Sequence, residues 1–473
     1  MIYFTAEKTY DYKKATWSKG QVIKILFGEI LNIPKPPKSS VVIINADLTN
    51  TYEEIANPFR ENKKICFTKK SDNYYLLDHH YAHVLSSKIV SPDADNGIAV
   101  DAGGNVGNVS VFYNLNDINK TRVVRDESIG GTYFQILEKG LKKQIGKIMG
   151  LQSYGKLDSE FYKKIDKISF EKLASFYKKT FEEMVKSGFP KDYNYDKVYT
   201  AHQYGVDMIV NLFKKYFSKG EKVAFGGGCA LSIPTNEALL KEGFDISVCP
   251  AANDSGISLG CIKFADMLFN LNIDWSNIQY KYVSPKQNEY VYEEVNDKTI
   301  YNVAKLLADG NIVGWCHGLG EVGPRALGHR SFLMNPSIEN GKDFINEQIK
   351  HREWWRPFGG SIIDTSVLED YTPSNLDPFM LRTFKFKKEW EDKFKSIIHT
   401  DGTSRLQIVT DKNDPFYKII KEFYNLTGIP GLLNTSYNLG GKPIAESYKT
   451  ICDTYNYIDN LKHLYISNIH KSK

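Results

Sequence analysis

Three apolar, β-rich runs punctuate the first half of the chain. Residues 41–48 (VVIINADL), 97–113 (GIAVDAGGNVGNVSVFY) and 222–228 (KVAFGGG) run into Asp or Gly clusters, as strands do when they deliver a loop to a ligand. Between them, residues 131–149 and 197–219 carry apolar side chains at three- and four-residue spacing and predict helices. This alternation predicts an α/β layer architecture. Around residues 272–290 the pattern turns polar and aperiodic, with Pro285, before the helix-like YNVAKLLADG (301–310) and the strand-like NIVGWCHG (311–318) resume. A domain boundary is expected there, giving a first domain over residues 1–271 and a second over 272–473. No internal repeat or low-complexity tract interrupts the pattern.

Composition narrows the class. At 473 residues, 42% hydrophobic and 13% aromatic, the chain has ample material for two or three cores, which excludes a small stapled module or a mainly disordered chain. The 61 basic against 56 acidic residues leave +5, too dilute over this length to diagnose a nucleic-acid partner. No apolar run approaches the roughly 18 residues of a membrane span, and the N-terminus lacks a secretory leader's apolar stretch, so no membrane partner and a cytoplasmic location are expected. Cys66, Cys229, Cys249, Cys261, Cys316 and Cys452 show no CxxC spacing and are expected as buried thiols of a reducing compartment.

Chemistry concentrates in a few segments. In Asp78-His79-His80-Tyr81-Ala82-His83, His79 and His83 stand at i and i+4, one face of a helix and the spacing that lets two imidazoles share an ion. A polar helix end is the alternative. Asp101, after the strand at 97–100, and Asp254, in PAANDSGISLG, are candidate acidic partners; as bland alternatives they are a turn residue and a helix cap. Two His and two Asp suit Fe(II), Mn(II) or Zn(II). Gly103, Gly104 and Gly107, and Gly226–Gly228, fall where strand-to-helix turns are expected to bring backbone N–H groups to a phosphate. Lys147 in GKIMGLQSYG adds a cation for the same purpose.

The ordered series DHHYAH, VDAGGNVG, GKIMGLQSYG, GGGCALSIPTN and ANDSGISLG resembles the metal- and nucleotide-binding domain of NodU/CmcH-type O-carbamoyltransferases, itself similar to TsaD-like proteins. GLGEVGPRALGHRS, IKHREWWRPF, DGTSRLQ and LLNTSYNLGGKPI continue the resemblance into the family's second domain, covering the chain from about residue 75 to its end. The resemblance implies an actin-like ATPase (TsaD-like) domain followed by a YrdC-like α/β domain. It implies that carbamoyl phosphate and ATP yield carbamoyladenylate in the second domain, and that the first passes the carbamoyl group to a hydroxyl. It implies iron(II) on His79, His83, Asp101 and Asp254, and catalytic work for His79, His83, Asp101 and Lys147. Nucleotide contacts would come from Gly103, Gly104, Gly227, Gly228 and Asn236. In the second domain Arg325, Arg330, Lys350, Arg352, Arg356 and Arg405 would bind phosphates, since guanidinium forks grip them bidentately and Trp354, Trp355, Pro357 and Phe358 suggest a lined pocket. Asn434 and Asn438 match polar positions near the nucleotide, with turn stabilisation as the alternative.

The family's HD-x-S-like hairpin motif and its ERF-x-R-x-KH-like stretch are not found in residues 1–60. Their absence leaves the acceptor open between a natural-product hydroxyl and a 5-hydroxymethylpyrimidine in a nucleotide or in DNA, which would have to be flipped or single-stranded. The lysine-rich segments 62–70 and 142–147 could contact a phosphate backbone, but a solvated face is the favoured reading. Two other classes compete: an actin-like-fold ATPase or kinase, and a non-catalytic metal-binding accessory protein related to tRNA threonylcarbamoylation.

Overall fold

The apolar runs become strands whose ends hold the polar motifs. The computed structural model describes residues 2–5, 22–26, 29–33, 41–45, 58–71, 74–272, 275, 294–318, 320–369, 371–372, 376–445 and 447–473. Most of residues 1–60, the stretch that lacks the acceptor-side motifs, and most of the expected linker lie outside them. The chain divides into two units, Met1–Ile278 and Gln279–Lys473.

The first unit's strands are β1 (Ile2–Thr5), β2 (Val22–Leu26), β3 (Glu29–Ile33), β4 (Val41–Asn45), β5 (Phe67–Ser71), β6 (Tyr74–Leu77), β7 (Asn96–Val100), β8 (Val109–Tyr113), β9 (Arg122–Asp126), β10 (Lys222–Gly226) and β11 (Asp245–Ser247). One sheet runs β1-β4-β6-β5, β2 and β3 form a hairpin, and a five-stranded sheet runs β11-β10-β7-β8-β9. In the five-stranded sheet β7, β8 and β9 form an antiparallel meander, while β10 lies parallel to both β7 and β11. The parallel strands therefore end at one edge, where an open α/β sheet offers its ligand crevice. Asp101 follows β7, Gly227 and Gly228 follow β10, and Asp254 lies in the loop after β11.

Two local expectations are corrected. The glycines at 103, 104 and 107 lie in a strand-to-strand turn between antiparallel β7 and β8, so no helix N-terminus follows them. The stretch 131–149 forms two helices, Gly130–Leu141 and Ile145–Leu151, because Lys142 takes a left-handed φ of 51° that ends the first. The second expected helix spans Asp196–Tyr216.

The second unit carries β12 (Val313–Cys316), β13 (Arg330–Met334), β14 (Gly359–Ile362), β15 (Thr383–Phe384), β16 (Ser404–Ile408), β17 (Gly431–Ser436), β18 (His463–Ile466) and β19 (Ile469–Ser472) in one sheet, ordered β15-β16-β14-β17-β13-β12-β18-β19. Helices Asp297–Ala308 and Pro415–Thr427 bury Val303, Leu307, Ile419 and Phe423 in its apolar core. β14 is parallel to β16 and antiparallel to β17, which is antiparallel to β13. The starts of β13, β14 and β16 and the end of β17 therefore share one end of the sheet. Every basic motif of the second unit lies there.

None of the six cysteines forms a disulfide; five are buried and Cys452 is half-buried. Among the described residues, no helix is long and apolar enough to cross a membrane.

Candidate metal centre and anion site

The helix His79–Lys88 starts where it does because Asp78 caps it, its Oδ1 accepting the Tyr81 N–H at 3.0 Å. Arg125, from β9, donates to both oxygens of that fully buried carboxylate, at 3.2 and 3.0 Å. The same guanidinium reaches Ser110 Oγ at 2.8 Å, and Ser110 Oγ meets His80 Nδ1 at 2.6 Å. Asn105 Oδ1 accepts the His79 N–H at 2.8 Å. The first turn of the helix is thus clamped from β8, β9 and the glycine turn before its imidazoles meet anything.

His79 and His83 then project from one face, as their spacing dictates, with Nε2 atoms 3.1 Å apart. Asp101 Oδ2 lies 3.5 Å from His79 Nε2 and 3.1 Å from His83 Nε2. Asp254 Oδ1 lies 3.5 and 3.4 Å from the same atoms. Ala102 N–H holds the other Asp101 oxygen at 2.7 Å and so turns Oδ2 toward the imidazoles. Burial pulls the His83 imidazolium down, but the facing Asp101 and Asp254 carboxylates outweigh it and raise the group to about 9. Burial likewise disfavours the Asp101 and Asp254 charges, yet the imidazoles hold both below the usual carboxylate range. His83 Nδ1 has no partner among the described residues, so burial and these carboxylates orient the ring.

Donor separations of 3.1–3.5 Å are those expected when four atoms each stand about 2.0–2.2 Å from one ion. Imidazole and carboxylate together suit zinc, manganese or iron(II), and the cluster fits the metal that the family resemblance implies.

The glycines separate into two kinds. A Cβ on Gly104 would meet the His80 ring at 2.4 Å, and Gly227, at φ +89°, would meet the Val100 carbonyl oxygen at 2.4 Å, so packing accounts for both. Gly103 has no neighbour within 4 Å of its would-be Cβ, and Gly228 faces only Asp101 Oδ1, at 3.2 Å. These two glycines leave backbone open beside Asp101. Asn236 is buried and donates to the Ala230 carbonyl at 3.0 Å, where it supports the turn after β10. Lys147 is half-buried on Ile145–Leu151.

In the second unit the parallel strand starts gather Arg325, Lys350, Arg352, Arg356 and Arg405. Burial pushes each below its ordinary range, and Arg325, Lys350, Arg352 and Arg405 are pressed further by neighbouring guanidiniums. Guanidinium stays charged in proteins, so the pressure is a repulsive strain that an anion would relieve. Arg325 Nε and Arg405 Nε are buried without partners among the described residues. Arg356 pairs with Glu353 at 3.8 Å, and the Arg352 guanidinium stands 4.4 Å from the Phe358 ring centroid.

The other matched residues support this group. Lys350 Nζ donates to Ser436 Oγ at 3.1 Å and Asn438 Oδ1 at 2.6 Å, and also to both backbone carbonyls. Arg330 spends its guanidinium on the carbonyls of His317, His329 and Gly318, at 2.7, 2.8 and 3.0 Å, which places it in the scaffold of the loop. Asn434 bridges strands by donating to Ser361 Oγ at 2.9 Å, leaving its buried Oδ1 without a partner among the described residues. Sequence reasoning missed Asp377 and Arg382. Asp377 accepts the backbone N–H groups of Phe379, Leu381 and Arg382 at 2.5–2.7 Å, and Arg382 Nε is buried without a partner among the described residues. A buried acid answering a basic cluster has no local sequence signature. Asp78 did have one, as a helix cap.

Comparison with known proteins identifies the family. Residues 7–262 match the Carbamoyltransferase N-terminus family and residues 304–473 the Carbamoyltransferase C-terminus family. An uncharacterized protein of Methanocaldococcus jannaschii is 29% identical, with 89% of each chain covered. Nodulation protein NolO of Bradyrhizobium diazoefficiens is 28% identical over 80% of this chain and 76% of its own. Nodulation protein U of Sinorhizobium fredii is 33% identical over 52% of this chain and 45% of its own. Among solved structures, full-length HypF in its phosphate- and nucleotide-bound form is similar over 48% of this chain and 47% of that chain, at 14% identity and a TM-score of 0.27, too loose a superposition to argue from. With both family matches in chain order and more than half of the residues in the first, the chain belongs to the NodU-type carbamoyltransferase family.

Proposed function

We propose that the protein is an ATP-dependent O-carbamoyltransferase that works through carbamoyladenylate. The observation that carries this reading is the half-buried group of Arg325, Arg352, Arg356 and Arg405, whose charges exceed their carboxylate partners. A polyanion is the partner such a group suits, and carbamoyl phosphate and the ATP triphosphate are the family's two. In this reading the second unit is the YrdC-like half and the first the actin-like, TsaD-like half.

Carbamate is a poor electrophile, so direct attack by an alcohol is slow. Water takes the phosphoryl group of carbamoyl phosphate as the P–O bond breaks, releasing phosphate and leaving carbamate, whose oxygen attacks the ATP α-phosphorus and expels pyrophosphate. The arginines bind and orient both phosphate groups and offset the charge that develops on them. The acceptor hydroxyl then attacks the carbamoyl carbon, AMP leaves, and the hydroxyl proton is lost. In the first unit His79, His83, Asp101 and Asp254 would hold the ion, iron(II) by the family resemblance, which when bound supplies Lewis acidity and a template for phosphate oxygens. The open backbone at Gly103 and Gly228 would meet the adenylate phosphate beside it. The acceptor carries a hydroxyl, on a natural product or on a hydroxymethylated nucleotide or DNA.

The test incubates the full chain with Fe(II), ATP and carbamoyl phosphate and follows pyrophosphate and AMP. Both should form, and an acceptor panel of aminoglycoside, hydroxymethylated nucleotide and hydroxymethylated DNA should show one member gaining a carbamoyl group by mass. Release of ADP in place of AMP would assign the chain to the kinase class, and no nucleotide turnover with any acceptor would sink the enzymatic reading.

A further inference from the structure

We infer that His317, His329 and Asp414 form a second site for a divalent transition-metal ion, lying wholly in the second unit and stapling the loop that carries Arg325. Nothing in this inference depends on the carbamoyladenylate route.

The three side chains are buried and offer donor atoms within 4.8 Å of one another. His317 Nε2 lies 3.7 Å from Asp414 Oδ1 and His329 Nε2 lies 3.6 Å from Asp414 Oδ2. The His317–Asp414 separation exceeds hydrogen-bond range. An imidazole facing each oxygen of the Asp414 carboxylate at that spacing leaves room for a small cation among the three side chains. His317 Nε2 is buried without a hydrogen-bond partner among the described residues, a polar atom that costs free energy unless something fills the gap. Two imidazoles and a carboxylate suit zinc or iron(II), and three protein ligands leave a fourth position for water.

The fold builds this arrangement from strand pairing and a helix cap. β12 and β13 are antiparallel, with Cys316 opposite Arg330, and the ladder extends one step as His317 N–H donates to the His329 carbonyl at 3.1 Å. The two imidazoles consequently stand side by side, ring centroids 3.9 Å apart. Asp414 caps the helix Pro415–Thr427, its Oδ1 accepting the Phe416 N–H at 2.8 Å. Buried Glu321 collects the N–H groups of Leu327, His329 and Arg330 at 3.0, 2.7 and 2.8 Å and fixes the approach to His329. Arg330 ties the His317 and His329 carbonyls together. Gly328, at φ +105°, would bring a Cβ within 2.0 Å of Phe416 Cδ1, so the loop is pressed against the start of the same helix.

The placement gives the ion a task. His317 and His329 are the two ends of the loop that contains Arg325. An ion holding both to Asp414 fixes that loop on the helix and keeps Arg325 among the mutually repelling arginines, where without an anion it is held against Coulomb repulsion.

The experiment loads the full chain with zinc(II), removes excess by gel filtration and counts zinc per chain by mass spectrometry of the metal. Wild type should hold two equivalents. A His79→Ala/His83→Ala variant should keep one, and adding His317→Gln and His329→Asn to it should remove that one. Asp414→Asn in the His79→Ala/His83→Ala background keeps a cap acceptor and should also lose zinc while its circular dichroism stays folded. Cobalt(II) in the His79→Ala/His83→Ala chain should give visible d–d bands that the Asp414 change abolishes. A His79→Ala/His83→Ala chain that is folded and binds no zinc, or retains it after the Asp414 change, overturns the inference.

Discussion

Arg125 and Asp78 form a two-pronged ion pair, at 3.2 and 3.0 Å, on the residue that immediately precedes the first candidate metal ligand. Asp78 is fully buried, so its charge depends on Arg125 and on the helix N-terminus it caps. Removing one partner of a buried pair costs about 3–5 kcal/mol because the other charge is stranded. Arg125→Met should therefore lower stability by about that much and weaken metal binding about 10- to 100-fold, the usual penalty for losing an outer support. Adding Asp78→Asn should recover much of the stability, since Asn still caps, but less of the affinity. Denaturant melts and competitive metal titration on the single and double variants decide it. Equal metal affinity in wild type and Arg125→Met would refute the positioning role.

Gly260 governs how closely the helix Ile257–Phe269 approaches the metal-ligand helix. A Cβ there would meet the Ala82 carbonyl oxygen at 1.9 Å, and that atom belongs to a backbone that cannot swing aside. Alanine favours a helix over glycine by roughly 0.5–1 kcal/mol. Overpacking against backbone costs about 1–3 kcal/mol, so the clash wins. Gly260→Ala should lower the melting temperature by several degrees and loosen the His79–His83 face, measured by a thermal scan and by the same metal titration.

What the sequence made legible follows the range of the interaction involved. The i, i+4 pair of His79 and His83 is a local period, and Asp78 before it is a local capping signal, so both could be read from the chain. That Asp101 and Asp254 join them depends on β7, β10 and β11 being parallel, which an alternating α/β pattern suggests but does not prove. The break at Lys142 was missed because a left-handed residue other than glycine or asparagine leaves little trace in a periodic apolar pattern. The glycine turn at 103–107 reads from sequence like an entry to a helix because a strand followed by glycines looks the same whichever element comes next; the antiparallel pairing of β8 with β7 makes it a strand-to-strand turn. His317, His329 and Asp414 had no signature at all, since a strand pairing and a helix cap bring them together from distant parts of the second unit. In Arg330 and Lys350 the motif was legible, while their hydrogen bonds to backbone carbonyls were not.

His202 supplies a pH dependence separate from the metal ligands. It is buried in the helix Asp196–Tyr216, neither ring nitrogen has a partner among the described residues, and burial holds its imidazolium down to about 4. An unfolded histidine titrates near 6.5, so between about 6.5 and 4 the unfolded chain binds a proton that the folded chain refuses. Stability therefore falls as pH falls through that window, by up to about 1.4 kcal/mol per pH unit from this group. His202→Phe, beside Phe134, removes the group and should flatten the profile by that slope while leaving stability near pH 8 within the usual range of a core swap. Urea midpoints of both chains at several pH values from 4.5 to 8 measure the difference, about 1 kcal/mol or more by the acid end. Parallel profiles would mean that His202 is protonated in the folded protein.

The arginine group predicts effects of opposite sign on stability and binding. Arg405 is pressed below its ordinary range first by burial, then by Arg325, Arg352 and Arg356. With no anion present, Arg405→Met removes a half-buried like charge while keeping the length of the side chain, so the free protein should melt higher than wild type. Charge-assisted hydrogen bonds contribute about 1.5–3 kcal/mol, so the same change should weaken binding of ATP or carbamoyl phosphate by about 10- to 100-fold. A ligand at 100 times its dissociation constant stabilises the folded state by about 2.7 kcal/mol. At a ligand concentration that protects wild type to that extent, the variant should gain little, and the order of melting temperatures should reverse between ligand-free and ligand-saturated scans. If Arg405 were an ordinary structural residue, the variant would melt lower under both conditions and carbamoyl phosphate would protect the two chains equally.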